Sequence, residues 1–188
     1  MLSSGVNFTA PIHAFFETVD AGVIEISDAP YSFGHLPDID MDNFMVCVGN
    51  DKKIGTDGIG TCFAICAQGR NPEGVAVIAL AHKSSCVAIN DAFHALKKEM
   101  VRVGCLKMTI QTVVIGGESP TFDEPEGCIE EEKEFLRLGS KGKIREALFN
   151  FAKGEEESLS VVVTAEKIYV SKKNLYTPVD ETIDQINL

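Results

Sequence analysis

The sequence predicts an α+β protein built in layers. Short apolar segments of strand length recur along the chain, and one longer segment, residues 87–104, instead spaces its apolar residues like the buried face of a helix. Strands and helices do not alternate strictly, which favours separate sheet and helix layers. With 188 residues, the chain is long enough to bury a sizeable core. We therefore expect a single domain over residues 1–188.

The first half of the chain is predicted to be mostly strands. Four apolar segments have the length and composition of strands: residues 23–26, 43–48, 62–67 and 75–81. The segment between the last two, QGRNPEG, is a turn by composition, so these two strands are expected to pair as a central antiparallel hairpin. We expect the core of the domain at about residues 43–117, preceded by an N-terminal extension, residues 1–42.

The second half begins with the predicted helix. Its apolar stripe is Ala88, Ala92, Leu96, Met100 and Val103, and Gly104 is a natural helix stop. The remaining elements are expected in this order: a strand over 106–115 that ends at Gly116 and Gly117, a surface loop over 118–127, one or two helices between 129 and 153 interrupted near 139–142, and a hairpin of 159–164 with 168–171.

The charge balance limits the partners that the protein is expected to have. The chain carries 17 basic and 28 acidic residues, a net charge of −11. Such a charge repels phosphate backbones and anionic lipids, so neither nucleic acid nor membrane insertion is expected. The N-terminus lacks a basic segment followed by an apolar stretch, which predicts a cytoplasmic protein and leaves open delivery by a signal-independent route, for example into a host cell.

The cysteines indicate a reducing compartment and no zinc site. The six cysteines form no C-x-x-C pair, and the four histidines do not complete a metal-binding spacing. Most of the cysteines stand among aliphatic neighbours, where a reduced thiol acts as a small hydrophobic side chain. No metal is therefore expected.

One segment combines several features of a nucleophilic cysteine. Residues 56–62 read Thr-Asp-Gly-Ile-Gly-Thr-Cys, a glycine-rich turn that leads into a predicted strand. Glycines let the backbone turn tightly and approach a ligand closely, so the amides of Gly58, Gly60 and Thr61 are candidates for stabilising an oxyanion near Cys62. A cysteine nucleophile also needs a base, and His82 ends the next apolar strand.

The hairpin spacing permits contact between the cysteine and the histidine. If the turn is centred near Pro72, Cys62 lies directly opposite His82, and Thr56 is the leading candidate for orienting the imidazole. A slip of one residue would place the two side chains on opposite faces. The alternative remains that Cys62 begins a core strand and that His82 is a structural histidine.

The motif resembles the start of a known enzyme family. The pattern T-x-G-h-G-[S/T]-C before an apolar strand is similar to the CheD-type chemoreceptor glutamine deamidases, and the likeness covers roughly residues 54–117. The family's catalytic Thr, Cys and His correspond to Thr56, Cys62 and His82. The same spacing is also reminiscent of bacterial toxin glutamine deamidases. The resemblance implies a layered α/β/β/α sandwich with mixed or antiparallel sheets.

The resemblance also implies an activity. We expect hydrolysis of a glutamine side-chain amide to glutamate, with release of ammonia through a thioester on Cys62, no cofactor, and a protein substrate that exposes the glutamine. A divergent toxin-like or effector role stays open. Two other interpretations stay open as well: a catalytically inactive interaction module, and a thiol transamidase or amidase that acts on another amide.

Overall fold

A computed structural model of the chain describes residues 22–27, 29–84, 87–117, 134–135, 137–149, 158–179 and 184–188. The protein has a mixed α/β fold, mostly strands in several mixed sheets, with few helices. The strands are β1 (Ile24–Ile26), β2 (His35–Pro37), β3 (Asn43–Val48), β4 (Ile54–Ile59), β5 (Phe63–Arg70), β6 (Ala76–Lys83), β7 (Gln111–Gly116), β8 (Glu146–Phe149), β9 (Leu159–Val163), β10 (Ile168–Ser171), β11 (Thr177–Val179) and β12 (Ile186–Asn187). Helix α1 spans Ile89–Arg102, a 3₁₀ helix spans Lys107–Thr109, and residues 137–140 are also helical.

The larger sheet has six strands in the order β12-β3-β6-β5-β7-β8. Its neighbours are antiparallel except for β7 and β8, which are parallel. The central pair is the predicted hairpin of β5 and β6. Every residue of β6 is buried, and its sequence AVIALAHK is almost continuously apolar, as expected for a strand that is covered on both faces.

The two faces of the larger sheet are covered by different layers. On one face lies α1, which buries Phe93, Leu96 and Met100 among side chains of β5 and β6. On the other face lies a four-stranded sheet in the order β1-β10-β9-β4. There Ile54 of β4 shares an apolar cluster with Leu80 of β6. The described layers therefore run from helix to larger sheet to smaller sheet.

A third small sheet lies beside the four-stranded one. Strands β2 and β11 pair in parallel, and their Leu36 forms a separate cluster with Val162 and Tyr176. Tyr176 is fully buried, and its ring lies directly over Gly55 of β4. None of the helices in the described part of the chain has the length and apolar character needed to cross a bilayer.

The structure confirms the main predicted elements. Strands are present in segments 23–26, 43–48, 62–67 and 75–81, and the helix and the terminal hairpin of β9 and β10 are also present. The predicted loop at 118–127 lies outside the described residues, as do parts of the region 129–153.

Three predictions about local structure were wrong. Residues 56–59 lie in β4 and not in a turn between strands, because Thr56 and Ile59 pair with β9 on either side of an irregularity in the register. Residues 107–109 form a 3₁₀ helix, so the strand predicted from 106 begins only at Gln111. Residues 146–149, in a region predicted to be helical, form β8, because they pair with the edge of β7 that is not bound to β5.

The contact between Gly55 and Tyr176 predicts a stability difference between two glycines. A Cβ atom at Gly55 would lie 2.4 Å from Cε1 of Tyr176, whereas a Cβ at Gly60 would meet nothing within 4 Å. We expect Gly55→Ala to destabilise the protein by about 1–3 kcal/mol, a typical effect of overpacking. Thermal unfolding measures this as a fall of several degrees in Tm, with Gly60→Ala as the matched control. Equal Tm values for the two variants would contradict the packing described.

Candidate active site

Thr56 and His82 meet between the two large sheets. Thr56 lies in β4 of the smaller sheet, and His82 lies near the end of β6 in the larger one. Both are buried, with Thr56 0% and His82 5% exposed. The Thr56 Oγ1 and His82 Nδ1 atoms are 2.8 Å apart, which is a normal hydrogen-bond distance. The contact that the sequence predicted between these residues is therefore present.

The partners of the Thr56 hydroxyl assign the tautomer of the imidazole. Thr56 Oγ1 donates its proton to the backbone carbonyl of Ile39 at 2.8 Å. A hydroxyl has one proton, so toward His82 it acts as the acceptor and Nδ1 carries the hydrogen. In the neutral ring Nε2 then has a free lone pair. Nε2 is buried and has no hydrogen-bond partner among the described residues, so it is available as a base.

Burial lowers the pKa of His82 below its ordinary value of about 6.5. The cause is desolvation, which disfavours the charged ring. The carbonyl of Ile39 and the carboxylate of Asp38 act in the opposite direction, because both favour the imidazolium. The net result is a histidine that is neutral at pH 7, which is the state that a general base requires.

The hairpin register differs from the predicted one. In β5 and β6, Ala64 pairs with His82, so Cys62 is not directly opposite the histidine. The strands end with Arg70 opposite Ala76, which centres the turn one residue later than Pro72. Cys62 is two residues from Ala64, and side chains two residues apart along a strand point to the same face, so Cys62 shares the face of Ala64 and His82. Cys62 is therefore a diagonal neighbour of His82, a relation in which Cβ atoms lie roughly 7–8 Å apart or somewhat less.

The backbone of Cys62 is anchored by the glycine pair at the end of β7. The amide of Gly117 donates a hydrogen bond to the carbonyl of Cys62 at 2.9 Å. A Cβ on Gly116 would lie 2.5 Å from the same carbonyl oxygen, and the φ of Gly116 is +101°. Only glycine allows so close an approach in this conformation. The pair that the sequence indicated as a strand end thus also positions the cysteine.

Cys62 itself lies largely within the core. It is 8% exposed and belongs to the apolar cluster between the sheets, beside residues such as Ile59 and Ala64. Its position at the start of β5 places it at the edge of that cluster. Burial raises the pKa of Cys66, which lies four residues further along and is completely buried, so this second thiol is not a nucleophile.

The three residues whose backbone amides were predicted to stabilise an oxyanion differ in whether that amide is available. Gly58 has a φ of +76°, and the amide of Gly60 donates to the carbonyl of Gly58 at 2.9 Å. The Gly60 amide is therefore already engaged in a local hydrogen bond. Thr61 is exposed and directly precedes the cysteine, which makes its amide the better candidate.

Sequence reasoning missed a carboxylate beside the histidine. Asp38 accepts a hydrogen bond from the hydroxyl of Tyr176, and burial raises the pKa of Asp38. Asp42 is also near, because its amide donates to the carbonyl of His82 at 2.7 Å. The signal in the sequence was the aspartate-rich segment 38–42, but nothing in it indicated that this loop lies against the end of β6.

Comparisons with known proteins do not assign the chain to a family. The chain matches no protein-family model, and no curated protein is significantly similar to it. The function is therefore inferred from the geometry of Thr56, His82 and Cys62.

The hydrogen bond of Thr56 predicts how His82 titrates. We expect the pKa of His82, measured by nuclear magnetic resonance, to lie below 6.5, and the neutral ring to carry its proton on Nδ1. Thr56→Val removes the hydroxyl oxygen that accepts the hydrogen bond from His82 Nδ1. Because this bond stabilises the charged imidazolium more than the neutral ring, the pKa of His82 should fall further. Thr56→Ser keeps the hydroxyl and should leave the titration nearly unchanged. Identical titrations in the valine and serine variants would contradict this assignment.

Proposed function

We propose that the protein is a cysteine-dependent deamidase that hydrolyses glutamine side-chain amides on a protein substrate. The observation that carries the proposal is the buried Nε2 of His82, which has no partner among the described residues. Thr56 fixes the ring so that this nitrogen holds the free lone pair, and Cys62 lies on the same face of the hairpin. A buried, oriented and neutral imidazole that lies diagonally across the hairpin from a cysteine supports a role in activating that thiol.

The first half of the proposed reaction forms a thioester. His82 Nε2 takes the thiol proton, and the Cys62 sulfur attacks the carboxamide carbon of glutamine. The resulting oxyanion is stabilised by backbone amides near Cys62, with that of Thr61 as the leading candidate. His82 then gives its proton to the amide nitrogen. The carbon–nitrogen bond breaks and ammonia leaves.

The second half restores the enzyme. His82 Nε2 takes a proton from water, and the hydroxide attacks the thioester carbon. The carbon–sulfur bond breaks, the thiolate recovers the proton from His82, and glutamate remains on the substrate. The sum is amide plus water giving carboxylic acid plus ammonia, so neither metal nor redox cofactor is required.

The sequence resemblance supports the amide as the target. Thr56, Cys62 and His82 occupy the positions of the catalytic set in CheD-type deamidases, and we propose that the fold is the corresponding α/β/β/α sandwich. The order of helix, six-stranded sheet and four-stranded sheet supports that proposal. A toxin-like or effector member of this group fits the same residues.

One observation favours the inactive-module alternative. Cys62 is 8% exposed, whereas a nucleophile must reach its substrate. In that interpretation the Thr56–His82 pair is a structural remnant that holds the sheets together. A transamidase shares the thioester and differs only in the second acceptor, which is an amine instead of water.

The proposed activity predicts the behaviour of two cysteine variants. With denatured casein as the probe substrate, we expect ammonia release and conversion of glutamine to glutamate, detected by peptide mass. Cys62→Ser should lower the rate by roughly 10³-fold or more while the protein stays folded. Cys47→Ser, at the far end of β3 from the strand position opposite His82, should retain the rate. Because the pKa of His82 is lowered, activity should persist below pH 6.5.

The same assay separates the alternatives. Incorporation of monodansylcadaverine into casein, with loss of ammonia, would identify a transamidase. Equal rates of ammonia release from casein by the wild-type protein and by Cys62→Ser would contradict cysteine catalysis on this substrate.

A further inference from the structure

A pocket lies on the helix side of the larger sheet. It has a volume of about 530 Å³ and is formed by α1 from Phe93 onward, the 3₁₀ helix with the residue after it, and the segment before β8. Its apolar lining comes from Phe93, Val101 and Ile110. This volume is within the range of sites that bind small organic molecules.

Four lysines converge on this pocket. They are Lys97, Lys98, Lys107 and Lys143. Their concentration is unusual in a chain with a net charge of −11. Lys97 also lies over the ring of Phe93, with Nζ 5.6 Å from the centroid, so the cationic and apolar parts of the pocket are in contact.

The lysines are close enough to repel one another. The pKa of Lys97 is lowered by burial and by the charges of Lys143 and Lys107. Within the described residues, neither Lys97 nor Lys107 makes an ion pair with a carboxylate. Glu134 is in electrostatic range of Lys143 but is bound by Arg137. A negative ligand would therefore relieve an existing repulsion.

We propose that this pocket binds an organic anion with an apolar body and a doubly charged headgroup, such as a phosphate monoester. The lysines complement the headgroup, and Phe93 and Ile110 take up the apolar body. Each part alone is insufficient, since a free inorganic ion stays better solvated in water and a neutral apolar molecule leaves the lysines in repulsion.

The pocket is separate from the site of Cys62. The loop after α1 reaches the far end of β5, where the amide of Leu106 donates to the carbonyl of Arg70 at 2.8 Å. Cys62 directly precedes the other end of that strand. A strand advances by roughly 3.3 Å per residue, so the length of β5 separates the two sites. The pocket also lies on the opposite face of the sheet, and the proposal that it binds a ligand does not rest on the proposed deamidation.

The test is isothermal titration of the whole chain with three matched probes. These are 1-naphthyl phosphate, the neutral 1-naphthol and inorganic phosphate. We expect 1-naphthyl phosphate to bind at least about tenfold more tightly than either of the others, because only it satisfies both halves of the pocket. Its affinity should fall as salt is added.

Charge-reversal variants locate the binding. Lys97→Glu and Lys107→Glu should each weaken binding of 1-naphthyl phosphate by about tenfold or more. Because Lys107 is exposed, misfolding would not explain a loss of binding in Lys107→Glu. Lys52→Glu is the control, since Lys52 is exposed and does not line the pocket. Near-ultraviolet circular dichroism checks that each variant is folded.

Two results would overturn the proposal. One is equal affinity for 1-naphthyl phosphate in Lys107→Glu and Lys52→Glu. The other is a glutamate-rich peptide that binds more tightly than 1-naphthyl phosphate and is lost in Lys97→Glu, which would assign the pocket to a protein partner.

Discussion

The hydrogen bond between Thr56 and His82 is the interaction on which the candidate site depends. It crosses from the four-stranded to the six-stranded sheet, and the carbonyl of Ile39 extends it to the loop before β3. Three chain segments that are distant in sequence are thereby held in one arrangement. The bond also decides the tautomer, so the same contact that joins the sheets leaves Nε2 of His82 as the basic nitrogen.

The interface between the two sheets is largely apolar. Side chains such as Ile78 and Leu80 fill it, whereas the buried Thr56 and His82 meet at one end. The carboxylate of Asp38 is half-buried close to His82, and that of Asp57 is half-buried close to Asp38. Burial raises the pKa of both aspartates and lowers that of His82, so it disfavours the charged form of each group. Polar groups that are kept in a core despite such a cost are typical of functional sites.

Much of the fold could be predicted because its main elements carry strong local patterns, namely the apolar hairpin of β5 and β6 and the periodic helix α1. The short strands could not be predicted, since β2, β11 and β12 have three residues or fewer and form only by pairing. The register of β5 against β6 was predicted wrongly because the loop between the two strands, and not the strands themselves, sets it. Thr56 and His82 were found from the motif, whereas Asp38 and Tyr176 approach it only through the tertiary fold.

The most direct test of cysteine activation by His82 is the pH dependence of Cys62 alkylation. Native protein is treated with iodoacetamide, and each cysteine is followed by peptide mass. The arrangement described predicts that Cys62 reacts rapidly at pH values well below the ordinary thiol pKa of about 8.5, and that His82→Ala moves its profile upward. If Cys62 reacts no faster than Cys47 or Cys105 and is unaffected by His82→Ala, then His82 does not activate this thiol.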